Sequence, residues 1–440
     1  MKVKKERNKK FRLLIPLIIA SVLFLSLTAL AQTGKIQEAT ELSPNLIVTV
    51  TPAEARVDIY EYDQRGIFKR EFVDNGSLPL NLPEGKYRIV ILRGYEYQPY
   101  QEEVEIKEEE IKKINVNLKH LYNMNKLGWY SGDAHMHTIY SDGKQKFPIL
   151  VRAAKAEGLN WIITTEHNEG VFKSWEHLHK HNYNTPLFQV YFGEEVTTFH
   201  SGHFNALGIE GYVDYRLPLE EIIAQTHEYK GLIVANHPFS GPLLGDLSSY
   251  FWQVENGYAK FQPDLDGVEV WNGDWNWENE ETLKYYFHLL NQGYKFFALA
   301  NTDTHNVYSN PPGTPRTYVY LGEKKLSKEE VKTALKLAKI FLTSGPLLQF
   351  DINGKTPGET LKVKLKENIT FNIKIKSVYS LSSLFIIKNG FVFYYNGKLT
   401  GKGHMETVSF PADKNSWYLL RVLGENGTQA ITNPIWIKVD

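Results

Sequence analysis

Gly132–Gly143 reads GDAHMHTIYSDG, and what this stretch is decides the fold of the central part of the chain. His135 and His137 lie two residues apart, with Asp133 and Asp142 on either side. In a strand, residues i and i+2 point to one face, so both imidazoles can reach the same ion. Alone the pair is weak, since most such histidines are surface or hydrogen-bonded residues. Its context gives it weight. FPILVRAAKAEG (Phe147–Gly158) has helical spacing and ends in glycine, and NWIITT (Asn160–Thr165) reads as a buried strand. The rhythm returns in LPLEEIIAQTHEYKG followed by LIVANHP, and in WENEETLKYYFHLLNQG followed by YKFFALANTDTH. Ser327–Glu330 opens a last helix as a capping box. Such alternation argues for a parallel sheet, closed as a barrel.

Outside this region the rhythm is that of strands alone. Asn45–Leu121 holds LIVTVTP, RVDIYEY, KYRIVIL, EEVEIK and KKINVNL, separated by turn signals such as DNGS and PEGK. From Gly345 come LLQFDING, TFNIKIK, SLFIIKNG, YLLRVLG and PIWIKVD. Each set suggests a small β-sandwich. The expected organisation is a sandwich over 32–125, a barrel domain over 126–344 and a second sandwich over 345–440. Ahead of them, basic MKVKKERNKK precedes the apolar FRLLIPLIIASVLFLSLTALAQ, with Ala29-Leu30-Ala31 at its end. This pattern predicts a signal peptide over 1–31, cleaved before Gln32. The alternative is a membrane anchor formed by residues 11–30. Either way the rest is exported (periplasmic, cell-surface or secreted), with no stable membrane span after cleavage.

Composition narrows the chemistry. Lys+Arg and Asp+Glu both number 50, so no net field steers the chain to nucleic acid. Cysteine is absent, which excludes disulfides, thiolate zinc sites and cysteine nucleophiles; any metal must be held by nitrogen and oxygen. No nucleophile elbow and no phosphate-binding glycine loop occurs. Of the 14 histidines, 12 lie between His135 and His305.

Several sit at the C-terminal ends of the expected strands, where an α/β barrel keeps its chemistry. NWIITTEH ends in His167, VYFGEEVTT offers Glu194 and Glu195, and LIVANHP carries His237. FFALANTDTH ends in Asp303 and His305, again an i, i+2 pair, and His203 begins a short strand in SGHFNALG. With Asp142 these are too many ligands for one ion, which takes about four or five. Two or three ions sharing bridging carboxylates fit the number, and such centres suit hydrolysis.

DAHMHTIYSDG, TTEHN, GEEVTT, GHFNALG, ANHP, VEVWNG and NTDTHN resemble the PHP (polymerase and histidinol phosphatase) superfamily. The nearest pattern is that of its CehA/McbA branch of metallohydrolases, named for carbaryl hydrolases. The resemblance covers roughly Gly128–Leu348, and TSGPLL with NGKTPGE carries it further. It implies a distorted (β/α)7 barrel and an exported metal-dependent hydrolase that uses a metal-bound hydroxide at a di- or trinuclear centre. The cofactors implied are two or three divalent ions (Zn, Mn or Fe). The ligands implied are His135, His137, Asp142, His167, Glu195, His203, His237, Asp303 and His305, with Asp303 and His305 also counted as catalytic. Glu195 is preferred to Glu194 because the pattern is glycine, any residue, then the ligand glutamate; it is the expected bridge. One departure is Thr165-Glu166-His167, where the superfamily usually has Thr-Asp-His.

The favoured substrate is a small phosphoester. A carboxylic or carbamic ester is the alternative, and a metal-containing surface protein that binds glycan without catalysis is a reading of a different class. Arg316 in PGTPRTYVY is expected to act in catalysis by neutralising an anionic substrate. His177, His179 and His181 in WEHLHKHNY read as a solvated loop over the barrel mouth. Trp271, Asn272 and Asp274 are weighed as pocket-lining residues against aromatic packing beneath a loop.

Overall fold

The computed structural model describes residues 43–240 and 248–440; the segment read as a signal peptide lies outside them. Period-two alternation in stretches such as LIVTVT and KKINVN gives half-buried strands. The N-terminal part has β1 (Leu46–Thr51), β2 (Ala55–Glu61), β3 (Lys69–Val73), β4 (Ser77–Leu80), β5 (Gly85–Leu92), β6 (Tyr100–Ile106) and β7 (Lys112–Asn117). They form two sheets, β4–β1–β7 and β3–β2–β5–β6, which share a core containing Leu46, Val48, Val57, Ile59 and Ile89.

The central part begins with β8 (Trp129–Asp133), α1 (Phe147–Ala156), β9 (Trp161–Thr164), α2 (Gly170–Lys180) and β10 (Gln189–Thr197). It continues with β11 (His203–Leu207), α3 (Leu219–Glu228), β12 (Leu232–Ala235), α4 (Tyr250–Glu255) and β13 (Gly267–Asn272). α5 (Trp277–Asn291), β14 (Phe297–Asn301), β15 (Arg316–Tyr320), α6 (Lys328–Lys336) and β16 (Ile340–Thr343) complete it. Strands β9, β12 and β14 are buried along their whole length, as their largely apolar runs require. Ser327 caps α6 by accepting the Glu330 N–H.

The remaining strands are β17 (Leu347–Ile352), β18 (Thr360–Val363), β19 (Asn368–Lys376), β20 (Leu381–Lys388) and β21 (Phe391–Asn396). After them come β22 (Gly403–Pro411), β23 (Ser416–Gly424), β24 (Gln429–Thr432) and β25 (Ile435–Val439). β17–β19–β22 form a separate sheet, whereas β24, β23, β20 and β21 extend the central sheet beyond β16. Asn45–Asp440 is one compact unit. Among the described residues no helix is long and apolar enough to cross a membrane.

The expected closed (β/α)7 barrel is not what forms. The central sheet is open, running β14–β13–β12–β11–β10–β9–β8–β15–β16, and β11, β15 and β16 are antiparallel to their neighbours. Along the outer edge of β14, side chains take the place of a closing ladder. The Thr317 hydroxyl accepts the Ala300 N–H at 3.0 Å and donates to the Ala300 carbonyl at 2.8 Å. The Asn433 amide likewise takes the Ala298 N–H at 2.8 Å and donates to its carbonyl at 3.1 Å. Two side chains thus satisfy backbone groups that a closing strand would have paired.

The histidine-rich WEHLHKHNY is not a loop. Most of it belongs to α2, whose Val171 and Ser174 are buried against the sheet. His177 is held between the Tyr140 and Tyr183 hydroxyls, at 2.9 and 2.7 Å.

Candidate metal centre

The C-terminal ends of β8, β9, β10, β12 and β14 open towards one point, together with the start of β11. After β8 the chain turns back sharply, which brings Asp142 over His137. Gly143 permits this: a Cβ there would lie 2.6 Å from the His137 carbonyl oxygen. The Glu166 carboxylate staples the turn, accepting from the Thr138 N–H and hydroxyl and from the Ser141 N–H and hydroxyl. The loop after β14 is tied to the same turn, because the His137 N–H donates to the Thr304 carbonyl at 3.0 Å and the Lys144 N–H to that of His305 at 2.7 Å. His237 and Asp303 adopt left-handed backbone conformations, with φ of 25° and 51°. Strain of this kind costs about 1–3 kcal/mol per residue and gathers where function over-determines the backbone.

All nine histidine and carboxylate residues singled out in the sequence come together, in three overlapping sets. In the first, His135, His137 and Glu195 are buried and Asp303 is partly exposed. His135 Nε2 lies 3.1 Å from Glu195 Oε2 and 3.3 Å from Asp303 Oδ1. His137 Nε2 is 3.2 Å from each of the same two atoms. Yet His135 Nε2, His137 Nε2 and Asp303 Oδ1 have no hydrogen-bond partner. Atoms this close and not aligned on one another converge on a common point. Ligand bonds of about 2.0–2.1 Å in a tetrahedron put neighbouring donors roughly 3.3–3.4 Å apart, so the four atoms fit one divalent ion.

The second set shares Glu195. Its Oε1 faces His203 Nδ1 at 3.1 Å and His237 Nε2 at 3.2 Å, and accepts from Asn236 Nδ2 at 3.0 Å. One oxygen of this carboxylate therefore serves each set. The third set is more open: His305 Nε2 lies 3.1 Å and His167 Nε2 3.5 Å from Asp142 Oδ2, with His137 Nδ1 3.6 Å from Oδ1. His167 Nδ1 is engaged by the Thr197 hydroxyl at 2.6 Å. Glu166 shapes the Asp142 turn and leaves the His167 ring to Thr197.

The electrostatics ask for positive charge. Burial works against charging His135 and His137, but the Asp303 and Glu195 carboxylates outweigh it; both imidazoles are raised, His137 to about 10. Burial alone would raise Glu195 and Asp303, yet His135 and its neighbours hold both below the usual carboxylate range. Glu194 goes the other way: burial pushes its carboxyl well up, and it accepts the Val213 N–H away from the histidines.

Arg316 does not join the site. It is buried, donates to the Gly313 and Glu157 carbonyls at 2.7 and 3.0 Å, and stacks on Tyr95 with its guanidinium carbon 4.4 Å from the ring centroid. The cause is the pleat, which turns this side chain away from the strand ends and against Glu157. Trp271 is packed in the core, Asp274 is exposed, and Asn272 reaches the site by donating to Asp303 Oδ2 at 3.3 Å. His179 is exposed and bonded to the Trp175 carbonyl.

Sequence reasoning passed over Glu269, whose Oε1 lies 2.9 Å from His135 Nδ1. Its signal was a lone carboxylate inside the apolar strand GVEVWN. Asp133, also left unassigned, is buried beneath the site; it accepts from the Thr302 hydroxyl and the Gly313 N–H, and burial pushes its carboxyl to about 6.

No family model and no curated protein matches the sequence. Among solved structures, the chain is similar to a two-domain protein from Bacteroides vulgatus containing a predicted PHP-like metal-dependent phosphoesterase. Identity is 16%, 67% of this chain and 91% of that one are covered, and the TM-score is 0.40. It is also similar to an amidohydrolase from Chromobacterium violaceum, at 14% identity over 40% of this chain and 87% of that one, with a TM-score of 0.28. At these values the chemistry of the site rests on its own side-chain geometry.

Proposed function

We propose that the chain is an exported, PHP-type metal-dependent hydrolase of small phosphoesters, with two or three divalent ions. The observation that carries this is the convergence of three unpartnered buried atoms, His135 Nε2, His137 Nε2 and Asp303 Oδ1, on a point also faced by Glu195. His135, His137, Glu195 and Asp303 would hold one ion, Glu195, His203 and His237 a second, and Asp142, His167 and His305 a third. Such ions supply Lewis acidity and acidify water at neutral pH. The chain fixes the donors: Thr197 orients His167, Ser240 lies 3.2 Å from His237 Nδ1, and Asn236 and Asn272 hold Glu195 and Asp303. A bridging carboxylate between adjacent ions suits a substrate with two oxygens to neutralise, which favours phosphoryl transfer.

One observation favours the second reading, a carboxylic or carbamic ester hydrolase of the CehA/McbA type. Arg316 is engaged elsewhere, and among the described residues no lysine or arginine pairs with Asp142, Glu195 or Asp303. The ions alone would then meet the substrate's charge. The test compares kcat/KM for nitrophenyl phosphomono- and diesters with that for nitrophenyl and naphthyl carboxylic and carbamic esters, under Zn, Mn and Fe. Faster turnover of the phosphoesters supports the first reading, and turnover of carbonyl substrates alone replaces it with the second. Tight binding without turnover favours the glycan-binding alternative. Export rests on the N-terminal sequence: N-terminal sequencing of the mature protein should give Gln32, and Met1 on membrane-associated protein would show an anchor.

A further inference from the structure

Strand β13 buries one carboxylate among Val268, Val270 and Trp271, and it is one of the most enclosed charged groups in the chain. Leaving a carboxylate at such depth unpaired costs several kcal/mol, so its partners explain its presence. Glu269 Oε1 lies 2.9 Å from His135 Nδ1 and accepts from Asn301 Nδ2 at 2.9 Å. Oε2 accepts from the His237 N–H at 2.9 Å and from Asn272 Nδ2 at 3.0 Å. Two donors on each oxygen use the acceptor capacity of the group, so Glu269 has none left for an ion. The four donors come from four different strand ends, those of β8, β12, β13 and β14. A register shift in β13 between Glu269 and Trp271 accompanies this placement. Bulges of that kind re-aim side chains beside functional sites.

Two of the four donors belong to ligand residues. An ionised carboxylate only accepts, so the His135 nitrogen facing it must carry the proton. That leaves Nε2, the atom unpartnered in the centre, as the lone pair offered to an ion. The second contact is to main chain: the His237 N–H that Glu269 takes belongs to a residue with φ of 25°, a conformation an L-residue does not hold unaided. His237 then presents Nε2 to the other oxygen of Glu195.

We propose that Glu269 is the positioning residue of the centre, fixing His135 so that Nε2 binds the first ion and holding the strained His237 backbone that serves the second. The inference rests on the metal-centre reading and adds a group outside the nine ligands. A carboxylate behind a ligating histidine typically changes metal affinity about 10–100-fold.

The experiment uses the full chain and zinc. In Glu269→Gln the shape is kept, but one of the two acceptor oxygens is replaced by an amide NH2, a donor that faces donors. Competition with a chromophoric chelator, and ion counting by plasma mass spectrometry, should show zinc affinity about 10–100-fold weaker with near-UV circular dichroism unchanged. Glu269→Asp, which keeps the charge, should recover part of the loss; a purely architectural role would favour the isosteric glutamine over the shorter aspartate. Side-chain 15N spectra of zinc-loaded wild type, assigned with His135→Gln, should show His135 metallated at Nε2 and protonated at Nδ1. Metallation through Nδ1 overturns the inference even if the glutamine variant fails to fold. Wild type that binds zinc while Glu269→Gln binds it as tightly overturns the role of Glu269 alone. Wild type that takes up no zinc overturns the centre, and the role with it.

Discussion

The two poles of the centre are built differently. His135, His137 and Glu195 are almost completely buried, whereas Asp142 keeps 53% and His305 38% of its side-chain surface exposed. The buried donors sit on or just past strand ends and face one another in the interior. The open donors hang on the Thr138–Gly143 turn and on the loop after β14. Water can satisfy Asp142 and His305; it cannot reach His135 Nε2. A missing cation therefore costs far more at the buried pole, and the difference implies graded hold on the ions.

Asp303→Asn should break the buried pole. It keeps the shape and removes a ligand charge, so kcat/KM should fall by about 10²–10³-fold, the scale of losing one electrostatic stabiliser of a transition state. The ion count should fall with it; full activity with all ions retained would show that the buried pole is not the centre. Asp142→Asn probes the open pole. The expected result is loss of one exchangeable ion with the buried ones retained, and a smaller fall in kcat/KM, on the order of 10–100-fold. If both variants lose the same ions, the poles are not graded.

Arg316→Leu separates architecture from chemistry. Two buried carbonyls, those of Gly313 and Glu157, would lose their donor at about 1–3 kcal/mol each, so the thermal midpoint should drop by several degrees. The ratio of phosphoester to carboxylic ester kcat/KM should stay the same; a selective loss of phosphoester turnover would place Arg316 in the site after all. A gentler probe is pH. His137, raised to about 10 without an ion, is protonated at pH 7, and a ligating imidazole must be neutral. Metal binding should thus release protons and weaken as pH falls, which calorimetry in buffers of different ionisation enthalpy reports; buffer-independent heats would contradict it. His179→Ala should change neither activity nor stability by more than about 0.5 kcal/mol, as for an exposed residue away from the centre.

The donors were legible in the sequence because strand ends are local. His135 with His137 and Asp303 with His305 follow from period-two geometry, and an apolar run ending in His167 or His237 marks where a buried strand meets the surface. Glu195 stood apart from Glu194 only through a family pattern; the structure separates them by pleat, one facing the histidines and the other the Val213 N–H. Less of the rest could be read. The expected solvated loop at His177–His181 is largely helix, since its apolar residues are too few to show a period yet enough to pack on the sheet.

By itself the sequence determined the alternation of strand and helix, the identity of the nitrogen and oxygen donors and the absence of thiol chemistry, because each depends on spacing along the chain or on composition. Only the tertiary structure decided which donors share a point, that the sheet stays open at β14, that Arg316 turns away, and that Glu269 stands behind His135. Those outcomes hang on contacts between residues far apart in sequence, such as Glu269 with His135 or Thr317 with Ala300, whose pairing is set by packing and by the need to satisfy every buried polar group.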